Sequence, residues 1–418
     1  MIKGGGVSWC VAMQSCPVMA DGVSADTGLT AVGEVFQVPD WTTLTKLPYH
    51  PAHARVMGDL YTRQGQPWEL CQRGFLKRMI ADAAALGFEI KAAFEPEFYI
   101  LRRNSTTGEL MSVDDDVYAA VMAMDKMAPV LDEIADALSE QGLIVEMCHP
   151  EAGPGQHELT VKYTDALGAA DQHIIYRETV KAVAYKHGLV ATFVPKLHSD
   201  KCGSGNHLHI SVWKGGVNVM SDNSHLVDSR TGSNDSGLSE TGQHFAAGVL
   251  HSLAGLMPLI CPSTNSYRRL LPMHWSGAYR VWGIDNKEAA VRVPTNPHPK
   301  PYPTNIEVKP CDNSANPYLA LGGVIVAGLD GIRQRRPLPQ RMDVDPATLS
   351  ELEREVADIQ RLPETLVAAV KALQKNEVLK QALGEPLLKA IVGVRLAEWN
   401  AMHDMTLKEE TKLLLNRY

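Results

Sequence analysis

At Gly87 the apolar spacing of this chain changes from helical to strand-like, and the same change recurs further on. Helical spacing runs from Glu69 to Leu86, and a strand is expected from Phe88 to Ile100. A second helix, about Ala128 to Gln141, ends at Gly142 and leads into a strand from Leu143 to Cys148. A third helix spans Asp165 to Lys186 and ends at Gly188. Short β segments are expected to dominate from there to about residue 310, with a polar surface loop over Ser221 to Ser239. The remainder reads as helices: Ala320 to Arg333, Pro346 to Ile359, Thr365 to Gln374 and a last one from Leu387. Residues 1–70 are rich in Gly, Val, Thr, Pro and Asp and read as short strands and turns. Strands and helices alternating this unevenly indicate an α+β fold, with a small β domain over 1–70 and a larger domain over 71–418.

Composition narrows the function classes. A chain of 418 residues can bury a sizeable core without staples. Its net charge of -8 and the lack of any Lys/Arg cluster argue against nucleic acid as a partner. The seven cysteines are odd in number and contain no Cys-x-x-Cys pair, which points to reduced thiols in a cytoplasmic protein. The longest apolar runs, such as Leu319 to Leu329, are too short to span a bilayer, and no signal peptide is apparent.

Six segments carry the chemistry. In the strand around Phe94 to Tyr99, alternation points Glu95, Glu97 and Tyr99 one way and Phe94, Pro96 and Phe98 the other. Two adjacent carboxylates repel unless a cation lies between them; a solvated strand face is the bland alternative. In the second segment, Glu146 to Glu158, a Gly-Pro-Gly turn can fold the chain back and bring Glu151 near Glu158. A polar hairpin loop is the alternative there. In the third, Gly203 to Ser211, alternation places His207, His209 and Ser211 on one face. They are metal ligands or satisfied strand residues, and the Gly-Ser-Gly backbone can hold an anion. The last three segments bring Arg268 and Arg269; Asn286, Lys287 and Arg292; and Asn305, Glu307 and Lys309 on one strand face. These bases can neutralise phosphate and a carboxylate, or form a structural ion-pair network. Carboxylates and histidine together suit hard divalent ions such as Mg²⁺ or Mn²⁺.

In this order the six segments resemble the glutamine synthetase family over nearly the whole chain, from about Gly4. Gly33-Glu34, Val38-Pro39-Asp40, Thr192 to Lys196 and Leu362-Pro363 add to the resemblance. It implies an N-terminal β-grasp domain, a catalytic domain with an antiparallel sheet and helices, and a homo-oligomeric ring, up to a dodecamer, with active sites between subunits. It implies ATP as co-substrate, glutamate and an amine as substrates, and two or three Mg²⁺ or Mn²⁺ per site. Glu97, Glu151 and Glu158 resemble the ligands of the tighter metal; Glu95, His207 and Glu307 resemble those of the metal that meets the ATP phosphates. By the same resemblance Glu146, His209, Ser211 and Lys309 lie on the nucleotide side. Gly203 and Arg269 bind glutamate, and Arg292 and Lys287 serve phosphoryl transfer. The implied reaction phosphorylates the glutamate γ-carboxylate, and an amine then displaces phosphate.

The departures from the family pattern gather at the substrate end. Where ammonia-using members carry a flap Glu, this chain has Trp275, which offers an apolar wall and no base. Lys287 and Lys309 replace arginines and lose the bidentate fork, and Asn305 loses the charge. The chain also starts late, with Gly5 where an ammonium-binding aspartate is expected, so the β-grasp domain reads as shortened at its start. No tyrosine lies between Tyr318 and Tyr418, so regulation by adenylylation there is not expected. These features point to an organic alkyl or aryl amine as nucleophile, with Trp275 among the substrate-binding and catalytic residues, and to a role in amine catabolism. An ammonia-dependent glutamine synthetase is one rival, and a catalytically silent scaffold is another.

Overall fold

In the computed structural model of this chain, the structure describes residues 6–19, 22–221, 237–295 and 304–418. The expected strand is the central one, Glu89–Arg103, and its length organises the rest. Its first half pairs antiparallel with Asn206–Lys214, and its second half with Gln156–Val161 and Leu189–Thr192. The sheet has eleven strands and continues outward from Asn206–Lys214 through Ile306–Val308 and Ala289–Val293 to Tyr279–Ile284. On the other side it ends at Val145–Pro150. Among the described residues, only the pair Tyr279–Ile284 and Ala289–Val293 is parallel.

Helices cover one face. Gln72–Ala85, Glu240–Ile260 and Pro317–Arg333 pack with Phe94, Leu208 and Ile210 in one core. Val121–Glu140 and Ala166–Lys186 pack with Phe98 and Ile100 in a second. The last helix of the expected trio is bounded as the sequence suggests, because Asp165 accepts a hydrogen bond from Gly168 N and caps it. Glu240–Ile260 and Pro317–Arg333 cross closely: a Cβ on Gly248 would lie 2.2 Å from Ala327 O, so only glycine fits there.

The structure corrects several expectations. The stretch from 188 to 310 is not dominated by β segments, because Glu240–Ile260 is a 21-residue helix. It is buried on nearly every side, so it shows no one-sided apolar period to read. The helix expected from Ala128 begins at Val121, with Pro129 tolerated inside it. Pro346 to Ile359 is not one helix but a 3₁₀ turn, Pro346–Thr348, and a short helix, Glu351–Val356. Helices Glu377–Leu383 and Leu407–Leu414 were not expected. Most of the loop expected over Ser221 to Ser239, and the residues around Gly4 and Gly5, lie outside the described residues.

Residues 6–70 form two antiparallel sheets, one of three strands (Val7–Cys10, Glu34–Pro39, Gly58–Thr62) and one of two (Thr45–Leu47, His50–Arg55). They are tied to the rest by buried Arg73, whose guanidinium meets Asp40 and Asp59 at 3.0 Å and Asp171 at 2.9 Å. No helix among the described residues is long and apolar enough to cross a membrane.

Candidate active site

Strand register assembles the site. His207 stands opposite Glu95, Glu97 opposite Glu158, and Glu307 opposite both His209 and Arg292. Directly opposed residues share a face. One face of the sheet therefore carries all of these, and Lys309 joins them two residues beyond Glu307.

The Gly-Pro-Gly turn does fold the chain back, with Glu151 N donating to Gln156 O at 2.8 Å. His149, Glu151 and Glu158 can each bring one ligand atom within 4.8 Å of the others, and so can Glu95, His209 and Glu307. His207 is at the second group as well, with Nδ1 3.1 Å from Glu95 and 3.3 Å from Glu307. His149 was not among the expected residues. Its Nε2 lies 2.9 Å from Glu151.

The two ends of the cluster differ electrically. At the first, burial and the neighbouring Glu151 push the Glu97 carboxyl up to about 7, against the pull of Arg269. Burial, together with Glu95, Glu97 and Glu151, pushes Glu158 up to about 11. Carboxylates crowded like this are short of positive charge. At the second end burial would raise Glu307, but Lys309, His207, His209 and Arg292 outweigh it and hold the group at about 2. Burial would raise Glu95 too, yet hydrogen bonds with His207 and His209 keep it well below the usual range. Burial and Lys309 push His207 down to about 4, whereas Glu95 overcomes burial and lifts His209 to about 9. A donor set of carboxylate oxygens with one or two imidazoles, with too little positive charge nearby to favour ionisation of Glu97 and Glu158, fits hard divalent cations.

The basic residues divide. Arg292 is ion-paired through Nε with Glu307. Lys309 is buried, with Nζ 3.3 Å from Glu307 and 3.5 Å from His207. Arg269 is buried and fixed by the carbonyls of Pro310 at 2.8 Å and Lys309 at 3.1 Å, with its other edge 3.4 Å from His207. Gly203 lies against it; a Cβ there would be 2.7 Å from Arg269 Cγ. Lys287 is not brought in: it is exposed on the turn after Tyr279–Ile284. The Gly-Ser-Gly turn also differs from expectation. Ser204 N donates to Pro195 O at 2.8 Å and Gly205 N to Glu97 at 3.0 Å, so neither is free for an anion.

A cavity of about 650 Å³ opens beside Glu95, lined by Glu146, His209 and Ser211, three of the four residues expected on the nucleotide side; the fourth, Lys309, is not among its lining residues. Trp213 lines it too, with Lys91 Nζ 3.8 Å from its ring centroid and its Nε1 donating to Ser211 at 2.9 Å. Such a pocket, with apolar walls and a charged end, suits a ligand with a flat ring and an anionic tail.

Trp275 lies on the segment 271–277, with 55% of its surface exposed and φ at 54°. Met273 is similarly strained, at φ 60°, and exposed. The segment returns to the site at Gly277, where a Cβ would lie 3.2 Å from that of Lys309.

Three supporting residues escaped the sequence reading, and a fourth, Asn305, was read there only as a lost charge. Gln156 Nε2 donates to Glu97 at 3.1 Å, Ser204 at 3.1 Å and Gly203 O at 3.2 Å, stapling two segments together. Asn313 Nδ2 donates to the carbonyls of Glu97 and Gly205. Asn305 Oδ1 is 2.9 Å from His209 Nδ1, so the residue that lost a charge orients the imidazole. Glu288 is buried beneath Trp275. For Gln156 and Glu288 the only signal was a polar residue within a segment already singled out, and Asn313 lies outside those segments.

A family model described as "Glutamine synthetase, catalytic domain" matches residues 69–413. Type-1 glutamine synthetase 1 of Dictyostelium discoideum is 34% identical over 402 residues, covering 92% of this chain and 78% of that protein. Gamma-glutamylpolyamine synthetase GlnA3 of Streptomyces coelicolor is 36% identical over 370 residues, covering 88% and 77%. A crystal structure of a "novel glutamine synthase homolog" superposes with a TM-score of 0.84 at 29% identity, covering 99% of this chain and 92% of that one. With the paired carboxylates, the histidines and the cavity in place, these matches show that the chain belongs to the glutamine synthetase family and is an ATP-dependent ligase that forms carbon–nitrogen bonds.

Proposed function

We propose that this ligase joins the γ-carboxylate of glutamate to an organic amine by way of a γ-glutamyl phosphate. The observation that carries the reading is Trp275, an exposed indole on a strained flap that borders Lys309. Backbone strain kept beside a reaction centre is characteristic of a working site. An indole offers apolar surface to an alkyl or aryl group and no carboxylate to a small cation. The likeness to a gamma-glutamylpolyamine synthetase is further support.

In this reading Glu97, Glu151 and Glu158, with His149 beside them, hold one divalent ion, and Glu95, the two histidines and Glu307 hold another. The ions would offset the charge gathered at phosphoryl transfer. Arg292 and Lys309 stabilise the transferred group, Arg269 and Gly203 hold glutamate, and the cavity of Glu146, His209 and Ser211 takes ATP. We further propose that residues 1–70 are an accessory β domain, that subunits assemble into a ring, and that the enzyme works in the cytoplasm. Glutamine synthesis from ammonium is the rival, favoured by Glu288, which keeps a carboxylate directly under the flap.

The test is amine-dependent phosphate release from ATP with glutamate and Mg²⁺ or Mn²⁺, across ammonium, alkylamines, a polyamine and aniline. Preference for an organic amine, lost in Trp275→Glu, is expected. Release with ammonium alone would return the chain to glutamine synthesis.

A further inference from the structure

Glu288 is buried, although it stands outside the carboxylate cluster. It immediately precedes the strand Ala289–Val293, where alternation aligns it with Ala290 and Arg292. Arg292 meets Glu307 on that face, and Ala290 lies under Gly277. Glu288 Oε1 accepts a hydrogen bond from Trp275 N at 2.7 Å. Its own N–H is braced by Asn286 Oδ1 at 3.0 Å.

The flap has little else to hold it. Ser276 Oγ donates to Leu271 O, and His274 Nδ1 approaches Pro272 O, so both bonds stay inside the flap. Among the described residues, Glu288 is the one side chain outside 271–277 that hydrogen-bonds to it. Positive φ at Met273 and Trp275 is unfavourable for residues with side chains and persists only where the surroundings enforce it. A carboxylate accepting from a backbone N–H makes a strong, charge-assisted bond.

We infer that Glu288 is a positioning residue that latches the flap and so holds the Trp275 indole where it screens the incoming amine. The inference rests on the organic-amine reading of Trp275. The latch acts on the nucleophile end, since the residues assigned to ATP and glutamate, Glu146, His209, Ser211, Gly203 and Arg269, lie outside both the flap and the strand Ala289–Val293.

The experiment compares Glu288→Ala and Glu288→Gln in the intact protein, with KM measured separately for the preferred amine, ammonium, ATP and glutamate. Glu288→Ala is expected to raise the amine KM about tenfold with the other two substrates' KM unchanged, from loss of one charged hydrogen bond. Glu288→Gln keeps an acceptor oxygen and should recover most of the loss. Acrylamide quenching of tryptophan emission should increase in Glu288→Ala, and this increase should vanish in a Trp275→Phe background. Should Glu288→Ala not fold, Glu288→Ser, which is polar but too short to reach the flap, carries the same comparison. Equal KM rises for all substrates, no change in any amine KM, or no recovery in Glu288→Gln would overturn the latch. A rise confined to the ammonium KM would leave the latch standing and remove the organic-amine reading.

Discussion

Glu97 and Glu158 are direct partners across two antiparallel strands, so register alone presses two buried carboxylates together on one face. Gln156 and Gly205 each donate one hydrogen bond to Oε2 of Glu97, which satisfies that oxygen but supplies no charge. The folded chain therefore resists ionisation of this pair, a cost that a divalent cation would relieve.

The metal-free protein should accordingly lose stability as pH rises. Both carboxyls are raised above their unfolded values, to about 7 for Glu97 and about 11 for Glu158. A raised carboxyl contributes stability that is complete below the ordinary carboxylate range and lost as pH climbs through the folded value. In EDTA, Tm should fall between about pH 5 and pH 9, and Glu158→Gln should flatten that fall. Added Mg²⁺ should restore Tm in the parent, whereas Glu158→Gln and Glu97→Ala should bind the ion roughly 10–100-fold more weakly by calorimetry. An unchanged affinity in both variants would remove these residues from the metal site.

Asn305→Ala should loosen the imidazole of His209 beside the cavity proposed to take ATP. A roughly tenfold rise in the KM for ATP is expected, with the KM for glutamate little altered. Steady-state kinetics with each substrate varied in turn would check it, and equal changes in both would indicate a general disturbance.

Arg73→Ala removes the cation shared by Asp40, Asp59 and Asp171, and among the described residues only Asp59 of the three keeps an ion pair, with Lys77. Breaking a buried ion cluster in this way costs about 3–5 kcal/mol. The urea midpoint should drop, and the segment 22–70 should become open to limited proteolysis before the remainder. Simultaneous cleavage everywhere would contradict the view that Arg73 fastens the N-terminal sheets.

His173 is fully buried against Phe94, with ring centroids 4.8 Å apart, and Nε2 3.4 Å from Asn206. Burial, with Arg177 nearby, holds its pKa well below the usual histidine value. The neutral ring is thus favoured in the folded state, and its contribution is present above about pH 6.5 and lost as pH falls further. His173→Gln should lose less Tm than the parent between about pH 7 and pH 5. Parallel melting curves would show that other histidines account for the acid sensitivity.

How much of this was written in the sequence depends on the range of each interaction. The helix Ala166–Lys186 was legible because its cap, Asp165, and its stop, Gly188, lie beside it. Glu240–Ile260 was not, because a helix buried all round has no polar face to mark its period. Nor could Lys287 be told from Arg292: both are bases in one segment, yet the first falls on an exposed turn and the second on a paired strand.

By itself the sequence determined which side chains share a face. Period-two alternation puts Glu95 with Glu97 and His207 with His209 whatever the strands meet, because it follows from the geometry of one strand. Tertiary structure decided the partners. That Glu97 meets Glu158, that Glu95 lies between both histidines, that Asn305 steadies His209 and that Glu288 reaches Trp275 all depend on strands and loops distant in the chain. Their register is set by how the apolar faces pack into two cores, and no local pattern encodes it.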